Sequence, residues 1–128
     1  MRLLLDTHTL IWAIADPSRL STRAREAILE DSNELVVSAG SAWEIATKHR
    51  IGNLPGAEQL LDAWADALGR LRAEPAPIEH AHALRAGRYT AAHRDPFDRL
   101  LAAHAELAAI PLVTADGAFA AFPVTTIW

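Results

Sequence analysis

Short apolar runs alternate with stretches of helical periodicity along the whole chain. Arg2–Leu5 is an apolar run ending at Asp6 and reads as a buried strand. Thr7–Ala15 follows as a helix, with Leu10, Ile11 and Ile14 at helical spacing, until Pro17 interrupts the pattern. Ser21 precedes a second helical stretch, Thr22–Asp31, and Leu35–Ser38 is a second strand. Ser41–Arg50 reads as a helix closed by Gly52. Ala57–Arg72 is one long helical pattern with Leu60, Leu61, Trp64 and Leu68 on a single face. After Pro75 and Pro77 come a weak strand near Ile78 and a short helix, His80–Ala86. Asp95–Ala109 opens on an Asp-Pro start signal and aligns Leu100, Leu101, His104 and Leu107. Leu112–Thr114 and Val124–Ile127 are two further strands, separated by a short segment around Phe119. Strands alternating with helices imply parallel pairing and right-handed crossovers. The expected fold is α/β, a three-layer helix–sheet–helix sandwich around a central sheet of four or five parallel strands.

With 128 residues and neither repeat nor linker, the chain is expected to form one domain, 1–128. Hydrophobic residues at 51% and charged ones at 22% suit a core that folds unaided. Cysteine is absent, which excludes disulfides, thiol nucleophiles, thiolate zinc sites and iron–sulfur clusters together, and fits a reducing compartment. No apolar stretch approaches the roughly 18 residues of a spanning helix. Asp6 also interrupts the N-terminal apolar run before a signal-peptide core can form. The expected location is therefore cytoplasmic, away from the membrane. A net charge of −4 argues against non-specific nucleic-acid binding. The basic residues are unevenly spread, however: half of them lie between Arg70 and Arg99.

In a parallel sheet, chemistry gathers outside the carboxyl ends of the strands. Asp6 closes the first strand and Asp116 follows the Leu-Val-Thr strand, while Glu44 and the pair Asp95/Asp98 open helices at the same edge. Singly, each acid has a local explanation. Asp6 caps the next helix, Asp116 begins a turn with Gly117, and Ser41-Ala-Trp-Glu44 fits a capping box. Asp95 caps its helix, with Asp98 favoured by the dipole. Capping does not require every capped end to lie at one rim. Two carboxylates about 4 Å apart repel by roughly 4 kcal/mol at an effective dielectric near 20, so a crowd of them demands protons or a cation. Carboxylate oxygens without imidazole or thiolate suit Mg²⁺ or Mn²⁺. Such an ion activates water and binds a phosphodiester oxygen, so phosphodiester hydrolysis is the expected chemistry.

Arg94 and Arg99 flank the acid pair and are candidate bidentate phosphate contacts, with ordinary ion pairs on a solvated face as the competing reading. Thr7 and Ser38, at the ends of the first two strands, either orient a water or phosphate or satisfy orphan helix amides. His80-x-His82 is too sparse for a zinc site, His93 reads as a surface residue ahead of a substrate contact, and His104 as a hydrogen-bonded core residue. Trp12, Trp43 and Trp64 read first as apolar anchors, and Trp128 as closing a sheet edge or meeting a second copy.

Four blocks now stand together: Leu3-Leu4-Leu5-Asp6-Thr7-His8-Thr9, Ser41-Ala42-Trp43-Glu44-Ile45-Ala46, His93-Arg94-Asp95-Pro96-Phe97-Asp98-Arg99-Leu100-Leu101 and Leu112-Val113-Thr114-Ala115-Asp116. In this order they resemble the blocks of PIN-domain proteins, and more closely the VapC toxins of toxin–antitoxin pairs. The resemblance implies a Mg²⁺- or Mn²⁺-dependent endoribonuclease with Asp6, Glu44, Asp98 and Asp116 around the metal, and with Asp95 as a helix cap or extra ligand. It implies a homodimer, an RNA substrate, and inhibition by a small VapB-like antitoxin that alone carries the DNA-binding part. Gly52-Asn53-Leu54 departs from the Gly-Lys-Leu common in such relatives and removes a basic contact.

Three other classes are weaker. A phospho-receiver domain needs a lysine near its last strand, and the single lysine is Lys48. A haloacid-dehalogenase-type phosphatase needs a second Asp two residues after the first, where this chain has His8. A non-catalytic binding domain stands if the acids are separate caps.

Overall fold

Leu3 and Leu5 lie on one side of the first strand and Leu4 on the other, and all three are fully buried. A strand of this kind needs cover on both faces. A computed structural model, which describes residues 1–55 and 57–128, shows that cover. The elements run β1 (Arg2–Leu5), α1 (Thr7–Ala15), α2 (Thr22–Leu29), β2 (Glu34–Ser38), α3 (Ala39–Arg50), α4 (Glu58–Asp62), α5 (Trp64–Leu71), β3 (Ala73–Ala76), α6 (His80–Arg88), α7 (Pro96–Ala108), β4 (Leu112–Val113) and β5 (Thr126–Ile127). Short 3-10 turns occupy Pro17–Arg19 and Gly117–Ala121. The five strands are all parallel, in the order β3-β2-β1-β4-β5.

Period-two alternation sorts the core into two layers. Leu3, Leu5, Leu35, Val37 and Val113 pack with Leu10 of α1, Ala24 and Ile28 of α2, Ile45 of α3 and Leu68 of α5. Leu4, Val36 and Leu112 face the other way, against Ala86 of α6, Leu101 and Ala105 of α7, and Phe119 and Phe122. The three-layer arrangement therefore matches the alternation of the sequence.

Several boundaries differ from the periodicity, each for a local reason. The long pattern expected over 57–72 breaks at Ala63 (φ −117°, ψ 37°). Its halves pack on different partners, α4 against α3 and α5 against α1, which a straight helix would not reach. The third strand precedes Ile78 and contains Pro75, tolerated because β3 lies at a sheet edge. Helix α3 begins at Ala39, two residues before the expected start, because Ser38 caps it through a bond from the Gly40 amide (3.0 Å). Gly40 sits where a Cβ would come within 3.4 Å of both Ser38 and Ile78, so this helix start is tightly enclosed. His104 is buried as expected, but its Nδ1 has no hydrogen-bond partner, and its ring lies 4.5 Å from that of His82. Burial, then the neighbouring His82, pushes its pKa down to about 4.

Phe119 is the largest fully buried side chain and sits between the sheet and α7. Phe119→Ala is expected to cost about 3–5 kcal/mol of unfolding free energy, measured by urea titration.

Candidate active site

Strand order reverses beside β1: β2 lies on one side of it and β4, reached much later in the chain, on the other. Parallel α/β sheets bind ligands at such a crevice. Asp6 and Thr114 stand at its two walls, directly after β1 and β4.

Asp6 occupies the N-cap position of α1, yet its side chain makes no capping bond. Its Oδ2 instead accepts a hydrogen bond from Thr114 Oγ1 (2.7 Å), and the carboxyl is only 6% exposed. Burial raises its pKa above the usual aspartate value, against the opposing bond from Thr114, with Glu44 adding to the rise. Glu44 is 3% exposed and is not part of a capping box, because α3 starts at Ala39 and Ser41 lies inside the helix. Thr7 Oγ1 donates to Glu44 Oε1 (2.5 Å) and also lies 3.0 Å from Ser41 Oγ. Glu44 Oε2 is bonded to the Lys48 ammonium one helical turn on. The local explanations for these two acids therefore fail.

Asp98, on the first turn of α7, completes a group of three. Burial raises its pKa to about 6, opposed by the bond from His93, and the charges of Asp95, Asp6 and Glu44 raise it further. The surroundings of Asp98 on α7 thus include the charges of Asp6 at the end of β1 and of Glu44 on α3. His93 Nε2 lies 2.7 Å from Asp98 Oδ2, so this histidine is part of the site rather than a bystander on the surface.

The remaining acids are occupied differently. Asp95 caps α7, accepting from the amides of Phe97 (2.8 Å) and Asp98 (3.2 Å). Asp116 is exposed and accepts from the Ala118 amide (2.9 Å). Its own amide donates to Thr114 Oγ1 (3.0 Å), whose hydrogen goes to Asp6, so its backbone is tied to the site through that relay.

The candidate RNA contacts divide in the same way. Arg99 is corrected to a scaffold residue: its guanidinium donates to the carbonyls of Ala86 (2.8 Å), Ala91 (3.2 Å), His93 (2.8 Å) and Tyr89 (2.6 Å), leaving no fork for a phosphate. Arg94 is exposed, and among the described residues it makes no hydrogen bond or ion pair. Ser38 and Thr7 are buried and engaged with Gly40 and Glu44, so neither hydroxyl faces an incoming phosphate.

Two participants escaped sequence reasoning. Lys48 stands four residues after Glu44, which places it on the same helical face. Burial works against its charge, but the bond to Glu44 and the nearby Asp95 and Asp98 charges raise its pKa. Thr114 had only a strand-end hydroxyl as its signal.

The donor set of Asp6, Glu44 and Asp98 is all oxygen and crowded with negative charge, which fits a hard divalent cation. Lys48 and His93 currently hold one oxygen each of Glu44 and Asp98, and among the described residues no three His, Asp or Glu side chains already converge on one ion position. The donors fit such an ion in type.

The PIN domain family matches residues 3–124 of the chain. Ribonuclease VapC16 of Mycobacterium tuberculosis (strain ATCC 25618 / H37Rv) is 40% identical over 57 residues, which is 44% of this chain; the match spans 40% of that relative's length. VapBC2 from Rickettsia felis, solved bound to a DNA fragment from their promoter, superposes with a TM-score of 0.72 at 18% identity, covering 98% of this chain and 97% of that one. FitAcB from Neisseria gonorrhoeae superposes with a TM-score of 0.63 at 21% identity, over 97% of this chain and 95% of that one. These two likenesses concern the fold.

Between pH 7 and 4 the folded chain holds the Asp98 proton more tightly than the unfolded chain, because its pKa lies above the ordinary 3.8. Stability owed to this group therefore rises as pH falls. His104 acts oppositely over the same range, since its folded pKa is depressed. The informative quantity is the difference between variants. Without metal, Asp98→Asn should melt above wild type at pH 7, and the gap should close by about pH 4.

Proposed function

The chain belongs to the PIN-domain family, and from that premise we propose that it is a metal-dependent endoribonuclease, the toxin of a toxin–antitoxin pair. The observation that carries the reading is the burial of Asp6 and Glu44 at the strand-order reversal, linked through Thr7 and with neither side chain engaged in capping. We assign the cation to these three carboxylates, with Asp116 at the rim as a fourth and Asp95 as a cap available as an extra ligand. Mg²⁺ or Mn²⁺ suits the all-oxygen set. When bound, the cation supplies a more acidic water and a positive charge for a phosphodiester oxygen.

The chain's own residues do the rest. Thr7 and Thr114 fix the orientation of the Glu44 and Asp6 carboxylates; Asp6 is held through Oδ2 alone, whereas Glu44 is held through both oxygens, by Thr7 and Lys48. Lys48 offsets the charge on Glu44 and supplies a nearby cation for an RNA backbone. His93 Nε2 is in reach of Asp98 Oδ2, where it holds or exchanges a proton. Arg94, exposed and next to Asp95, is the outer phosphate contact in this reading.

The same reading gives the chain a VapB-like antitoxin, a homodimeric state and a cytoplasmic setting, with DNA met only through the antitoxin. Among the described residues no helix is long and apolar enough to cross a membrane.

Asp6→Asn and Glu44→Gln should each lower cleavage of a structured RNA by 100-fold or more, with the melting temperature maintained. Excess EDTA should do the same to wild type. Wild-type rates in either variant, or in EDTA, would refute the assignment.

A further inference from the structure

Directly before each of two site acids stands an aromatic residue: Trp43 before Glu44 on α3, and Phe97 before Asp98 on α7. These aromatics meet. Their ring centroids are 4.7 Å apart, with planes at 72°, so the same α3–α7 seam carries an acid layer inside and an aromatic layer outside. Trp43 is 54% exposed, although burying an indole is strongly favourable. The edge-to-face contact braces the indole against Phe97 while about half of Trp43 stays open to solvent, one residue along α3 from the buried Glu44.

We infer that Trp43, braced by Phe97, is a stacking platform for an unpaired RNA base next to the phosphodiester held at the acids. This rests on the ribonuclease reading. Single-stranded bases are recognised by stacking on exposed aromatic side chains. The position suits such a base because the platform is one residue removed from Glu44 and from Asp98, while Lys48 and Arg94 provide positive charge for the adjoining backbone. Unlike hydrogen-bond readout, stacking accepts any base and rejects a paired one. The platform therefore selects unpaired stretches of a folded RNA rather than a fixed sequence.

The test titrates the full chain with a fluorescent 2′-O-methylated single-stranded RNA in Mg²⁺, intact at the end of the run, and follows anisotropy. Trp43→Ala and Trp43→Leu should weaken binding roughly 5- to 100-fold, and Trp43→Phe should stay within about threefold of wild type. Removing bases from the oligomer should weaken wild type, and Trp43→Ala should then lose little more. Equal binding by wild type and Trp43→Leu would overturn the platform, because a merely apolar contact would be enough. A Trp43→Ala chain that changes its association state in sedimentation and binds each site as before would also overturn it, by making this face a contact between copies. A wild-type chain that binds no RNA would instead fail the ribonuclease reading itself.

Discussion

Like-charge crowding is the condition under which this molecule is built. Asp6, Glu44 and Asp98 arrive from three elements that are each anchored elsewhere. β1 is locked by Leu3, Leu4 and Leu5, α3 by Ile45, and α7 by Leu101 and its neighbours. None of these elements retreats without opening a core layer, so the carboxylates cannot relax their repulsion by moving apart. Relief comes instead from side chains at the site: hydroxyls of Thr7 and Thr114, the Lys48 ammonium and the His93 imidazole. On the proposed reading, a hard cation would neutralise the charge that these side chains relieve only in part.

Around that centre, residues of the same chemical type divide between scaffold and site. Asp95 and Asp116 satisfy backbone amides, while Asp6 and Glu44 leave capping to other groups. Arg99 spends its donors stitching five carbonyls of the 86–93 segment to α7, beside the contact of His93 with Asp98; Arg94, five positions earlier, stays in solvent. A guanidinium saturated by carbonyls is structural and one left in solvent is available, and that difference is invisible until the loop has folded.

Much of the fold was readable along the chain because period-two and helical patterns carry it directly. Leu3, Leu4 and Leu5 read as doubly covered, and the alternation of elements required parallel crossovers. What the pattern could not convey is which partner each segment packs against, so the break at Ala63 and the early start of α3 were missed. At the site, Asp6 and Glu44 were legible as candidates from their places at one sheet edge, but the partners that hold them, Thr114 and Thr7, lie 108 and 37 positions away. Lys48 needed only the helical spacing from Glu44 to be found.

The two margins of the sheet have a consequence for assembly. At one margin β3 has four residues and includes Pro75, which has no N–H to offer; at the other β5 has only Thr126 and Ile127, and Trp128 beyond it lies against Trp12. Neither side presents a run of unpaired backbone long enough to template an added strand. Strand addition and fibre-like growth by edge-to-edge pairing are therefore disfavoured at both margins.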